Sequence, residues 1–266
     1  MKPNSRQNRP DYRRIAVDVM LPWLVPVLIV IAWQIVSSLQ FVSAKLFPSP
    51  LTIAEAGWKL LSSGQLSHHM GISLQRALVG LLIGGGLGFL LGVVNAIFKT
   101  SYRLFDTTIQ MIRNIPHLAL VPLVIIWIGI GETSRVFLVA IGVLFPVYVN
   151  TYHGIRSVGG DYIEMGNVYG LKPWEIFLHI LLPGALPSIF VGLRYALGVM
   201  WLTLIVAETI ATNEGIGYLA MNAREFMQAD IIILSIILYA LFGKVADLAA
   251  KLLERRLLRW NAAYQP

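Results

Sequence analysis

The feature that most constrains this chain is a series of apolar runs, each about the length a helix needs to cross a bilayer. They fall at roughly 20–39, 70–98, 107–130, 134–152, 186–207 and 231–250. Only 13% of the residues are charged and 56% are hydrophobic, about half the charge that a soluble domain carries. Lipid must therefore solvate most of the folded surface, and 266 residues suit one compact helical bundle. The expected fold is an all-α membrane protein with about six transmembrane helices. Cysteine is absent, which excludes disulfides, thiolate metal sites and cysteine nucleophiles. The opening MKPNSRQNRPDYRRIAVDVM is basic but long and polar, and no A-x-A-like site follows the first apolar run. That run is read as a retained span and not as a removable leader.

The net charge of +7 would suggest nucleic acid in a soluble protein, but here topology accounts for it and no nucleic-acid partner is expected. Six spans return both termini to one side. That side collects Lys2, Arg6, Arg9, Arg13, Arg14, Lys99, Arg103, Arg156, Lys172, Lys251, Arg255, Arg256 and Arg259. The other side has only Lys45, Lys59, Arg135 and Arg224. Cytoplasmic loops are the ones enriched in Lys and Arg, so both termini and the segment 153–185 are expected in the cytoplasm. The chain divides into a tail at 1–19, a membrane domain at 20–250 with its core at about 67–250, and a second tail at 251–266.

Outside the spans, FPSPLTIAEAGWKLLSSGQL reads as a short helix lying in the membrane interface. Ser49 can cap it, Pro50 suits its first position and Gly64 its end, and Leu51, Ala54, Trp58 and Leu61 fall on one stripe. The segment ETIATNEGIGYLAMNAREFMQAD is too polar to span and too long for a simple turn. Within the second run, Gly80, Gly84, Gly88 and Gly92 recur every four residues. This gives one glycine-lined face, which in lipid lets a neighbouring helix approach closely. Pro116 and Pro122 each remove a backbone donor from the third run, so that helix is expected to kink or break, either as packing or as part of a pathway.

Ionisable groups inside lipid are costly and need a reason. Arg76, near one end of the second run, is read as snorkelling to the interface. Arg113 lies before the proline-broken part of the third run. Arg194 sits deep in the fifth and should face a protein interior or pair with a carboxylate. Glu208 follows the fifth span, where a hydrogen-bonded structural role outweighs a proton relay. Arg113, Pro116, Pro122, Arg194 and Glu208 are the candidates for lining a translocation pathway. The histidines are scattered, and no H-E-x-x-H or G-x-S-x-G is present to support an intramembrane hydrolase.

Between the fourth and fifth runs the chain inserts IEMGNVYGLKPWEIFLHILLPGALPSI, far longer than a turn requires. A first short helix is expected around Asp161–Tyr169, stopped by Gly170, and a second at about Pro173–Leu181, ended by Pro183. Glu164-Met165-Gly166, three residues, Gly170, nine residues, then Ile180-Leu181-Leu182-Pro183 resembles the EAA signature of permease subunits of bacterial ATP-binding-cassette importers. Met165 and Gly166 depart from that signature's two alanines. Stretches such as IQMIRNIPHLALVPLVIIWIGIGE and LPGALPSIFVGLRYALGVMWLTLIVAETIA look like the nitrate/sulfonate/taurine branch, closest to its aliphatic-sulfonate members.

The resemblance implies a type I importer transmembrane fold working as a homodimer in the bacterial inner membrane. It also implies two ATP-binding cassette subunits docked at the EAA loop (Glu164, Met165, Gly166, Tyr169, Gly170, Ile180, Leu182, Pro183) and an extracytoplasmic substrate-binding protein. The chain would bind no cofactor or metal and catalyse nothing, because ATP and Mg belong to the partner subunit. Its cargo would be an aliphatic sulfonate, with taurine, nitrate or another small anion as the alternative. A passive channel would not need the EAA loop.

Overall fold

The computed structural model describes residues 12–39, 43, 45–210 and 212–261. Lys2, Arg6 and Arg9 of the basic tail and residues 262–266 of the C-terminal tail lie outside them. In chain order come α1 (Tyr12–Ser38), α2 (Pro50–Ser62), α3 (Gln65–Ile97) and α4 (Lys99–Arg113). A 3-10 turn, His117–Leu120, leads into α5 (Val121–Ile128) and then α6 (Glu132–Arg156). After α7 (Gly160–Val168) come α8 (Pro173–Ile176), a π-helical turn (Phe177–Leu181) and α9 (Leu182–Thr209), then α10 (Ile216–Glu225) and α11 (Ala229–Leu257).

Among the described residues four helices are long and apolar enough to cross a membrane: α3, α6, the continuous helix Pro173–Thr209, and α11. In α1 the apolar part is Trp23–Ser38. The third run does not form one helix. Pro116 has no N–H to continue α4, and its carbonyl instead closes the 3-10 turn by accepting from the Ala119 N–H at 2.9 Å. Pro122 opens α5, where its missing donor would have been unpaired anyway.

Pro183 requires a correction, because it does not end a helix. The turn before it widens, so the Leu182 N–H bonds back to the Phe177 carbonyl, five residues earlier. The proline then enters the second turn position of α9, where no donor is demanded of it. As a result α8 and α9 form one continuous rod.

Helix α6 lies between α3 and α9. The glycine face of α3 rests on α6 so closely that a Cβ on Gly84 or Gly88 would collide with the backbone carbonyls of Ala140 and Leu144. On Gly80 it would meet the Val139 side chain and on Gly92 Thr151. Such contact matters in lipid, where association rests on close packing more than on exclusion of water. Val139, Val143 and Val147 of α6 join a core shared with Ala77 of α3, Ala196, Met200, Trp201 and Leu204 of α9 and Tyr239 of α11. Helix α2 begins as expected, with the Ser49 hydroxyl accepting from the Thr52 N–H at 3.2 Å, and ends before Gly64 at φ +79°. Its Leu51, Trp58 and Leu61 are exposed, while Ile53 and Ala56 are buried.

Candidate coupling surface and buried polar network

At one end of the bundle, α7 and α8 form a small platform. Tyr169 caps α7, and Gly170 takes φ +74°, which an L side chain resists. The Gly170 N–H donates to the Asn167 carbonyl and the Leu171 N–H to that of Gly166, both at 3.0 Å. This paired closure turns the chain sharply away from the helix. The Glu175 carboxylate then accepts from the Lys172 N–H at 2.7 Å, and Pro173 starts the next helix.

Gly166 is buried because α7 crosses the following helix there. A Cβ at that position would lie 2.8 Å from Ile180 Cδ1 and 3.3 Å from Ile176 Cγ1. The departure from alanine therefore has a packing reason, and Ile180 is what fills the space. Leu182 and Pro183, partly buried, continue into the rod. The opposite face of α7 presents Tyr162, Met165, Val168 and Tyr169, all exposed, with Val168 at 86%. Glu164 is exposed beside them and forms no hydrogen bond or ion pair among the described residues.

The other end of the same rod carries Glu208, wholly buried. Its carboxylate accepts from Arg76 Nη1 at 2.8 Å, the Gly217 N–H at 2.9 Å and the Tyr239 hydroxyl at 2.9 Å. The Ser73 hydroxyl lies 2.8 Å from both carboxylate oxygens and accepts from the Ile216 N–H at 2.9 Å. Arg76 also grips Glu132 with Nε and Nη2, at 2.6 and 2.5 Å, and donates to the Glu214 carbonyl at 2.8 Å. Arg135 adds a 2.7 Å bond to Glu132. The network ties α3, α6, α9, α11 and the segment entering α10. Gly215 and Gly217 let that segment close over Glu208, since a Cβ on either would strike it.

Arg76 therefore does not snorkel, as its position suggested. It is 3% exposed and paired with two carboxylates. A readable signal existed: Arg76, Glu132 and Glu208 lie at the same end of three different spans, each an ion where lipid penalises one. Nothing in the sequence marked Ser73 or Tyr239.

The other candidates are dispersed. Arg194 donates through Nε to Asp247 at 2.8 Å and lies 3.8 Å from Glu254, joining α9 to α11 in the half of the bundle nearer α7. Asp247 and Glu254 went unremarked in the sequence, although each lies in or beside an apolar run. Arg113 ends α4, exposed, and borders a groove between α6 and α9. Pro116 and Pro122 bracket the break between α4 and α5.

Residues 84–259 match the family described as binding-protein-dependent transport system inner membrane component. Over 243 residues the chain is 57% identical to the aliphatic sulfonates transport permease protein SsuC of Escherichia coli (strain K12), covering 91% of this chain and 92% of that protein. It is 41% identical over 264 residues to the protein of the same name in Bacillus subtilis (strain 168), covering 99% and 96%. Among solved structures, an amino acid ABC transporter with histidines superposes with a TM-score of 0.61 over 77% of this chain and 97% of that one. At 17% identity, that last likeness speaks for the fold.

Proposed function

The chain belongs to the family of binding-protein-dependent transport inner-membrane components, and from that premise we propose that it is the permease subunit of an ATP-driven importer of aliphatic sulfonates. Two copies form the translocation path. Two ATP-binding cassette subunits dock against the α7 end, which faces the cytoplasm together with both termini. An extracytoplasmic binding protein delivers the anion at the α10 end. The chain itself is not catalytic, and ATP and Mg are used by the partner.

The observation that carries this reading is the mounting of α7. Its exposed stripe of Tyr162, Met165, Val168 and Tyr169 sits over Ile176 and Ile180 through Gly166, at the head of the unbroken helix Pro173–Thr209. A push on α7 is passed to the rod through this packed contact, across the hydrogen-bonded turn at Gly170. The rod is in turn fixed to α11 by Arg194 and to α3 and α6 by the Glu208 network, so several helices move together. Glu164 contributes an acceptor to a basic partner surface, and Gly170 sets the angle of the platform. Arg113 and the breaks at Pro116 and Pro122 line the route, while Arg194 and Glu208 act by holding its walls.

Growth on alkanesulfonates as the only sulfur source, with and without the gene, tests the reading. Loss of growth on deletion and its restoration by the gene are expected. Uptake of taurine or nitrate without alkanesulfonates by the assembled importer would overturn the substrate assignment.

A further inference from the structure

Roughly 20–25 Å along α6 from Glu132, at 1.5 Å per residue, an open groove of about 370 Å³ runs between α6 and α9. Arg113 and Asn114, at the end of α4, close it from one side. Its polar lining is completed by Asn150 of α6 and Tyr195 of α9. Phe145, Val149 and Val199 form an apolar strip along the same groove. Among the described residues, none that lines it is acidic.

Arg113 stands out because it forms no hydrogen bond or ion pair among the described residues, while the other arginines that enter the bundle are paired. An exposed guanidinium on a groove with no acidic residue among its described lining is available to pair with an anion. Asn150 is held ready: its amide donates one N–H to the Pro146 carbonyl at 2.9 Å, leaving the other, and it sits in a notch where Gly192 has no side chain. Its own carbonyl accepts from the Ser188 hydroxyl at 2.8 Å, which fixes the backbone there.

We infer that this groove is a transient binding site for an alkanesulfonate in transit, with Arg113, Asn114, Asn150 and Tyr195 around the sulfonate oxygens and the alkyl chain against Phe145, Val149 and Val199. The inference rests on the sulfonate reading above and deepens it. Three oxygens sharing one negative charge match a forked donor flanked by amide and phenol donors. The strip accepts methylenes. An ammonium at the far end of the cargo would meet no carboxylate, so the groove favours plain alkanesulfonates over aminoalkanesulfonates such as taurine. Its openness keeps the anion from being trapped.

The test uses the complete importer in liposomes, together with calorimetric titration of the detergent-solubilised permease–ATPase complex without its binding protein. Pentanesulfonate is expected to bind that complex about tenfold or more tighter than methanesulfonate, with taurine and inorganic sulfate weaker still. Arg113→Ala should lower both this affinity and the maximal pentanesulfonate uptake about tenfold or more. Arg113→Lys should retain an intermediate share, and Tyr195→Phe should cost less. Co-purification with the ATPase subunit confirms assembly of each variant. Unchanged binding and uptake in Arg113→Ala, or equal binding of taurine and pentanesulfonate, would overturn the inference. So would a defect that follows only the anionic lipid content, because Arg113 would then be meeting a headgroup. Normal uptake by the wild type with no binding to the complex removes the groove alone; a wild type that takes up no sulfonate removes the substrate reading itself.

Discussion

Arg76 is the residue whose removal should cost the fold most, because it leaves two carboxylates without their shared cation, one of them wholly buried. Breaking a buried ion pair from one side typically costs about 3–5 kcal/mol. Arg76→Leu is therefore expected to lower the thermal stability of the detergent-solubilised permease sharply. Arg76→Lys should fall between, since a single ammonium cannot fork to both partners. Adding Glu208→Gln to Arg76→Leu should recover part of the loss, because the buried charge goes with its partner. A double variant as unstable as the sum of both single variants would show that the pair is not coupled. At this scale the sequence was only partly legible. Arg194 could be recognised as a residue needing a carboxylate, and Asp247 supplies it at 2.8 Å. Arg76 was misread because its partners lie far along the chain and its own position, near a span end, has an ordinary explanation in snorkelling.

At the scale of elements, the glycine face of α3 was legible because a four-residue repeat has one geometric meaning on a helix. The structure adds which of these glycines tolerate a side chain. At Gly84 a Cβ would meet the backbone of Ala140, which cannot rotate aside, whereas at Gly86 it would meet nothing within 4 Å. Alanine in place of glycine favours a helix by about 0.8–1 kcal/mol. Gly86→Ala is thus expected to leave stability equal or slightly raised, while Gly84→Ala, with the same propensity gain, should force α3 and α6 apart and lower it. Thermal unfolding of the two purified variants is the comparison, and a Gly84→Ala protein as stable as Gly86→Ala would deny the close approach. Prolines were harder to read. At Pro116 the chain breaks, as a missing donor suggests, but Pro183 is absorbed by the widened Phe177–Leu181 turn. Whether a proline stops a helix depends on the turn before it, and the local sequence does not determine that.

At the scale of the whole molecule, coupling requires that α7 be both rigidly mounted and outwardly unpartnered, and substitutions can separate these conditions. Val168 is 86% exposed, and Glu164 is exposed with no hydrogen-bonded or ion-paired neighbour among the described residues. Surface changes of this kind usually alter stability by about 0.5 kcal/mol or less. Val168→Asp and Glu164→Lys should therefore leave the isolated permease as stable as before. In the assembled importer both should weaken co-purification with the ATPase and abolish stimulation of ATP hydrolysis by the loaded binding protein. Glu164→Gln should show a milder form of the same defect if the carboxylate meets a basic partner, and none if it serves only its own helix. Gly170→Pro works on the mounting instead. It replaces a residue at φ +74° by one locked near −65°, and it removes the N–H that bonds to the Asn167 carbonyl. The platform should then swing out of register, so that the ATPase is retained through α8 while stimulation is lost, a split between binding and coupling that the α7 surface variants should not produce. Full substrate-stimulated hydrolysis in Gly170→Pro would mean that the angle of α7 is not what transmits the stroke, and full stimulation in Glu164→Lys and Val168→Asp would mean that the partner docks elsewhere.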